Sequence, residues 1–277
     1  MTLLDGKALS QKLIDQMRSK VSAYKNPPGL TVILVGDDPA SAVYVRNKHQ
    51  ACEKVGIRSN IIKLPAAIQK QELIQTIEKL NADPAVHGIL IQLPLPKHLP
   101  SEEVLSFVSE QKDVDGFHHL NAGKFFRGQK ALMPCTPKGV IRLLEEYKVE
   151  MSGKTAVVLG RSNVVGKPMA MMLLEKNATV TVCHGQTKDP KFYCQQADII
   201  VSAVGKAGLI QKDWVKNGAC VVDVGMNRNL ERKLVGDVAF EEVSSKTSFI
   251  TPVPGGVGPM TIAMLLENTI QAFENQR

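Results

Sequence analysis

No apolar run in this 277-residue sequence approaches the ~18 residues that a membrane-crossing helix needs. The opening Met1-Thr2-Leu3-Leu4-Asp5-Gly6-Lys7 lacks the basic-then-apolar layout of a secretory signal. A cytoplasmic address with no membrane partner is therefore expected. Cysteines are few, odd in number and scattered: Cys52, Cys135, Cys183, Cys194 and Cys220, with no CxxC pair. That argues against a disulfide framework and a structural zinc site, so reduced thiols and no metal are expected. Aromatic residues make up only 5%, and the 34 basic residues, against 27 acidic ones (net +7), are dispersed. A nucleic-acid binder clusters its charge, so no nucleic-acid partner is expected. An acidic small-molecule substrate suits this balance, as plain solubility does. Repeats and low-complexity segments are also missing.

What remains, 44% hydrophobic and 22% charged, is a globular profile long enough for one large or two ordinary domains. In the first half, β-rich residues 31–35 turn at Gly36-Asp37-Asp38 into a helix over 39–55. Asp38 is placed to cap it, Pro39 takes its first position and Gly56 stops it. Residues 60–64 read as strand, 69–82 as helix and 86–93 as strand, and a short helix begins near Ser101. This βαβαβ order predicts a parallel sheet. Residues 111–136 read as irregular, and Thr136-Pro137 caps a connector helix over 138–147. In the second half, 156–159, 179–183, 199–203 and 220–224 are near-continuous apolar runs, as in strands covered on both faces. A last helix covers 260–273. The predicted fold class is α/β with two domains, a parallel-sheet domain over 1–137 and a Rossmann-like domain over 138–259.

The strand at 156–159 runs into Gly160-Arg161-Ser162-Asn163-Val164-Val165-Gly166-Lys167-Pro168, where a helix opens. Strand, glycine loop and helix start set backbone N–H groups against a pyrophosphate. The spacing is Gly-x-Ser-x-x-x-Gly, a departure from Gly-x-Gly-x-x-Gly, and a plain tight turn would also use glycine. Its place at the head of a second βαβ series favours a dinucleotide, with Gly160, Arg161, Ser162, Val165 and Gly166 as candidate contacts. The next strand tip, Cys183-His184-Gly185-Gln186-Thr187, lacks the acid that holds a ribose diol in NAD enzymes. Arg161 suits a 2′-phosphate better than a diol, so NADP is expected over NAD. The alternative is an ordinary solvent-facing arginine.

The helix over 39–55 places Tyr44, Lys48, Ala51, Cys52 and Val55 on one face. Four of these suit a packed stripe. Lys48 must snorkel, pair or work, and a desolvated lysine exchanges protons nearer neutrality. Gln92 stands near the carboxyl end of a buried strand, where open α/β sheets place ligands. Asp115 lies in Lys112-Asp113-Val114-Asp115-Gly116. Taken singly, Gln92 also reads as a strand-end amide satisfied by backbone, and Asp115 as an Asp-Gly turn. Cys135 has no base beside it and reads as packing. His118 and His119 are adjacent, expected to point different ways, and not read as a metal pair.

Six blocks follow one another along the chain. They are Tyr44-Val45-x-x-Lys48, Gln92-Leu93-Pro94-Leu95-Pro96, Lys112-Asp113-Val114-Asp115-Gly116, Pro134-Cys135-Thr136-Pro137, Gly160-Arg161-Ser162 with Val165-Gly166-x-Pro168, and Pro254-Gly255-Gly256-Val257-Gly258-Pro259-Met260-Thr261. Together they resemble the bifunctional methylenetetrahydrofolate dehydrogenase/cyclohydrolase family over essentially the whole chain. The resemblance implies oxidation of 5,10-methylenetetrahydrofolate with NADP, then hydrolysis of the methenyl product to 10-formyltetrahydrofolate. It implies that residues 1–137 bind folate and that 138–259 bind the dinucleotide. It also implies a last helix over 260–277 that packs back on the first domain, and a homodimer. By position, Lys48 matches the family's catalytic lysine, Tyr44 its stacking tyrosine, Gln92 the lysine's partner and Asp115 the pterin anchor. Pro254, Gly255, Gly256 and Thr261 match the loop between cofactor and folate. The mechanism then expects the Lys48 ammonium in a dry cleft between the domains. Gly185 and Gln186 depart from the family's usual serine and basic residue, leaving the 2′-phosphate to Arg161 and His184. His119 stands where proline is frequent. Competing readings are a shikimate-type two-domain NADP dehydrogenase, a non-catalytic nucleotide binder and a monofunctional dehydrogenase.

Overall fold

The computed structural model describes residues 1–229 and 231–277. The chain begins with β1 (Thr2–Leu3) and α1 (Gly6–Ser22). It divides into two compact units: Lys12–Cys135 with Ile262–Arg277, here the first unit, and Met1–Gln11 with Thr136–Thr261, the second.

The first unit continues with β2 (Gly29–Val35), α2 (Pro39–Val55), β3 (Arg58–Leu64), α3 (Lys70–Ala82), β4 (Gly88–Ile91), α4 (Ser101–Leu105) and α5 (His119–Phe126). Its three strands are parallel in the order β3-β2-β4. β2 is central and buried at every residue, which accounts for its unbroken apolar run. Edge strand β3 mixes exposed and part-buried positions. Ile33 and Val35 of β2, Leu73 and Ile77 of α3, and Ile89 and Ile91 of β4 share one core. Parallel pairing requires each helix to return the chain, so all strand carboxyl ends share one edge. Helix α2 follows its local signals. Asp38 Oδ2 accepts from Ser41 N at 2.7 Å, and Gly56 (φ 86°) donates to the Cys52 and Glu53 carbonyls.

The second unit runs through α6 (Cys135–Glu146), β5 (Thr155–Leu159), α7 (Gly166–Glu175), β6 (Thr179–Cys183), α8 (Pro190–Cys194), β7 (Ile199–Ser202) and β8 (Cys220–Asp223). It ends with β9 (Asn227–Arg228), β10 (Leu234–Val235), α9 (Phe240–Ser244) and β11 (Phe249–Ile250). Its sheet has six strands in the order β1-β11-β8-β7-β5-β6, each pair parallel. From β5 the chain passes to β6 on one side, then returns to β7 on the other. Such a reversal leaves a crevice outside the carboxyl ends of β5 and β7. Helix α10 (Val257–Asn275) ends the chain, and from Ile262 it clusters with the first unit.

Three expectations change. Residues 1–11 belong to the second unit, because β1 pairs with β11 through Thr2–Phe249 and Leu3–Ile250. Residues 111–136 are not all irregular, since α5 forms there with His118 Nδ1 accepting from Leu120 N at 3.2 Å. Helix α10 starts at Val257, because proline is tolerated in a first turn whose N–H groups have no helical partner.

Candidate active site

Helix α2 carries Lys48 and Tyr44. Val45, Ala51, Cys52 and Val55 are its buried stripe, while Lys48 and Tyr44 are half-buried. Lys48 is thus not enclosed as the sequence suggested; a charged tip stays where it can reach a polar partner. Its Nζ donates to Gln92 Oε1 at 3.1 Å. Gln92 follows β4, and its backbone N–H donates to Ile33 O at 2.9 Å. Its Nε2 donates to Leu93 O at 2.7 Å, so the amide oxygen is the atom left to face the ammonium.

Asp115 is presented by a segment held at three points. Buried Lys112 donates through Nζ to the carbonyls of Leu80, Asn81 and Asp83 (3.1, 2.8 and 2.8 Å), a cation at the C-terminus of α3. Burial pushes the Lys112 pKa down. Buried Asp113 accepts from Phe117 N, His118 N and Asn121 Nδ2 at 3.1, 2.8 and 2.9 Å, fixing the start of α5. Burial raises its pKa, and those bonds oppose the rise. The Val114 carbonyl accepts from Asn268 Nδ2 at 2.8 Å and from Cys135 Sγ at 3.3 Å. Gly116 has φ 73°, and a Cβ there would overlap the Met133 backbone. Burial pushes the Asp115 carboxyl up to about 6. The Lys48 ammonium and the Cys135 thiol oppose that rise, and Asp113 adds to it.

Asn268 is a residue that sequence reasoning missed. It is fully buried on α10 and also donates to Met133 O at 2.8 Å. Standing between Glu267 and Thr269, it gave no signal of its own. Cys135 packs as expected. All five cysteines are buried, and burial pushes the thiols of Cys52, Cys194 and Cys220 up to about 12. His118 and His119 do not diverge. Their rings stack with centroids 4.2 Å apart, one buried as a helix cap and the other exposed.

In the second unit, Gly160 (φ 113°) follows β5, and a Cβ there would overlap Ala203 O. A Cβ on Gly166, the first residue of α7, would overlap Gly160 O. Both glycines are therefore steric requirements of one turn. Ser162 replaces the usual middle glycine and braces that turn, its Oγ accepting from Val165 N and Gly166 N at 3.1 and 3.4 Å. Arg161 is exposed. His184 is held in the β6 tip, where its N–H donates to Thr187 Oγ1 at 2.9 Å and its Nδ1 accepts from Gln186 N at 3.2 Å. A Cβ on Gly185 would meet nothing within 4 Å. A glycine cradle at a helix start, an open strand tip without an acid and an exposed arginine fit a phosphorylated dinucleotide. The 254–261 segment, helical from Val257, also lies in this unit. Gly255 (φ 110°) accepts from Lys7 N at 2.8 Å, Gly256 leaves no room for a Cβ beside Pro252 O, and Thr261 Oγ1 pairs with Thr136 Oγ1 at 3.0 Å. The structure thus gathers Tyr44, Lys48, Gln92 and Asp115 in one unit. It places Gly160, Arg161, Ser162, Val165, Gly166, His184, Pro254, Gly255, Gly256 and Thr261 in the other.

Two family models match the chain. The tetrahydrofolate dehydrogenase/cyclohydrolase catalytic domain covers residues 4–115, and the NAD(P)-binding domain of the same family covers 134–277. The bifunctional protein FolD of Moorella thermoacetica is 55% identical over 273 residues, 98% of each chain. A bifunctional FolD methylenetetrahydrofolate dehydrogenase/cyclohydrolase structure from Campylobacter jejuni superposes with a TM-score of 0.97 at 52% identity, covering 100% of both chains. The Trypanosoma brucei dehydrogenase-cyclohydrolase, solved with NADP cofactor and an inhibitor, gives 0.95 at 37% identity over 99% of this chain and 98% of that one. Shikimate 5-dehydrogenase from Thermus thermophilus gives only 0.53 at 16% identity over 89% and 99%, a likeness of fold alone.

Proposed function

Because the chain belongs to the tetrahydrofolate dehydrogenase/cyclohydrolase family, we propose the following residue roles for that family's two reactions. The enzyme oxidises 5,10-methylenetetrahydrofolate with NADP, then hydrolyses the methenyl cation to 10-formyltetrahydrofolate. Bound NADP supplies the hydride acceptor. Hydride loss leaves a stabilised cation, so the first reaction asks the protein for positioning more than for acid catalysis. Ionised Asp115 accepts two N–H bonds from the amino-pyrimidinone edge of the pterin, and Tyr44 gives it a ring face. Water addition to the cation releases a proton to solvent, and ring opening needs one at the ring nitrogen. Lys48 gives that proton from its Nζ ammonium and, as the amine, takes back the added hydroxyl's proton as the formyl C=O forms, while Gln92 orients it without adding charge. Gly160, Ser162, Val165 and Gly166 hold the pyrophosphate, Arg161 and His184 the 2′-phosphate. Pro254, Gly255, Gly256 and Thr261 give the folate a close backbone approach.

The observation that supports this reading is the Lys48–Gln92 bond, with Asp115 near enough to feel the ammonium's charge. Lys48→Met should cut methenyl hydrolysis at least 100-fold, after subtraction of the buffer rate, and leave NADPH affinity within twofold of wild type. Full hydrolysis in that variant would refute the role. We also propose a cytoplasmic homodimer whose partners are folate one-carbon substrates, with neither nucleic acid nor membrane. Sedimentation equilibrium tests the dimer, which a monomer mass at micromolar concentration would exclude. No helix among the described residues is long and apolar enough to cross a membrane.

A further inference from the structure

Two carboxylates of the second unit have no part in the roles above. Asp223 ends β8 and Asp237 follows β10; they are 3% and 0% exposed. Asp237 Oδ2 accepts from Ser202 Oγ, Val204 N and Gly205 N at 3.0, 2.8 and 3.2 Å. Its Oδ1 accepts from Lys206 N and Asn227 Nδ2, both at 2.9 Å. Asp223 in turn holds this segment by its backbone. Its Oδ1 accepts from Gly225 N and Asp237 N at 2.8 and 3.0 Å, and its Oδ2 from Val238 N at 2.9 Å. A Cβ on Gly225 would overlap the Asp237 carboxyl, and one on Gly236 would overlap that of Asp223. Only glycine therefore lets the two carboxylates come in this close.

A buried carboxylate is costly unless donors surround it. Asp237 has five donors, and three are the consecutive amides of residues 204–206. Successive amides curled around a negative group form an anion-binding nest. Here the chain fills that nest with its own side chain. The segment it holds is the loop leaving β7. Ala203 N donates to Leu159 O at 2.8 Å, and Ala203 O stands against Gly160. Residues 203–206 are thus the second lip of the crevice outside β5 and β7, opposite the glycine turn, and Val204 is exposed there.

We propose that Asp237 is a positioning residue for NADP: by holding the amides of 204–206 it presets the β7 lip in the shape the dinucleotide binds, with Asp223 fixing Asp237 from behind. The inference rests on the NADP reading. The saving is one of preorganisation, since a lip ordered before binding loses less entropy when the cofactor arrives. The test is fluorescence titration with NADPH, paired with amide exchange on cofactor-free protein. Wild type should bind NADPH and show protected amides at Val204, Gly205 and Lys206. Asp237→Asn presents an N–H₂ where donors now point. In its folded fraction it should bind NADPH at least tenfold more weakly and exchange those three amides at least tenfold faster. A merely structural role would lower its Tm without moving the affinity of folded molecules. Should Asp237→Asn not fold, Ser202→Ala removes one donor, keeps the carboxylate, and should weaken NADPH binding two- to threefold. Unchanged affinity in whichever variant folds, or free-loop exchange at 204–206 in wild type, overturns the proposal. Wild type that binds no NADPH overturns the cofactor reading first, and the inference falls with it.

Discussion

Burial pushes the Asp115 carboxyl up to about 6, against the pull of the Lys48 ammonium. Its proposed partner, the pterin edge, needs the ionised form, because a protonated carboxyl gives up an acceptor. As pH falls through about 6, kcat/KM for methylenetetrahydrofolate should fall, since that ratio reports groups of the free enzyme. A pH series run beside Asp115→Asn checks this; a flat wild-type profile down to pH 5 would sink it. Stability moves the opposite way. Between about pH 4 and 6 the folded state keeps a proton that the unfolded chain has released, so stability falls as pH rises through that window. Asp115→Asn should therefore be more stable than wild type to urea at pH 7.5 and bind folate worse. Sequence and structure divide instructively at this loop. Asp115 stood out only through the six family-like blocks, since taken singly it read as an Asp-Gly turn. Lys112 and Asp113 gave no such sign, since the carbonyls and amides they hold are remote or backbone groups.

Helix α10 matters to the folate unit through Asn268, whose one amide group joins the carbonyls of Val114 and Met133 and reaches Cys135 Sγ at 3.5 Å. Asn268→Ala leaves Val114 O with the Cys135 thiol alone and takes the side-chain donor from Met133 O, at roughly 1–3 kcal/mol for an acceptor so deprived. The variant should lose about 2 kcal/mol in urea unfolding and show a raised KM for folate, because the segment presenting Asp115 loosens. A stability loss with unchanged KM would make Asn268 a packing residue only. Elements differ in how openly they announce themselves. Helix α2 has an acidic cap, a proline start, a helical period and a glycine stop in agreement, so its bounds were readable. Helix α1 carries comparable signals that were not read, with Asp5 Oδ1 accepting from Ala8 N and buried Leu9, Leu13, Met17 and Val21 at steps of four. Helix α5 was hidden because its start is held by a histidine ring and by Asp113, and neither is a familiar local cap. The pairs β1–β11 and β9–β10 have two residues per strand, too few for any alternation to show.

At the scale of the molecule, the chain passes between its two units at residues 11/12, 135/136 and 261/262. The second passage lies within Pro134-Cys135-Thr136-Pro137, and the third just after the glycine-rich block. The first falls inside α1, where no loop residue marks it, and follows from the non-local pairing of β1. Two units with separate cores need not unfold as one, so a single Tm shift cannot say where a ligand binds. A ligand that binds only folded protein adds about 2.7 kcal/mol at 100 times its Kd, and it adds this to the openings its site participates in. Amide exchange resolves those openings by residue. NADPH should protect 160–166 and 184–187, with 204–206 already protected in its absence, while a folate analogue should protect 44–48, 92–93 and 115–116. The decisive segment is 254–261, which clusters with the dinucleotide unit and is proposed to touch folate. If it lines the pterin substrate, the folate analogue protects it without NADPH present. If only NADPH protects it, Pro254, Gly255, Gly256 and Thr261 serve the cofactor, and their substrate role is withdrawn.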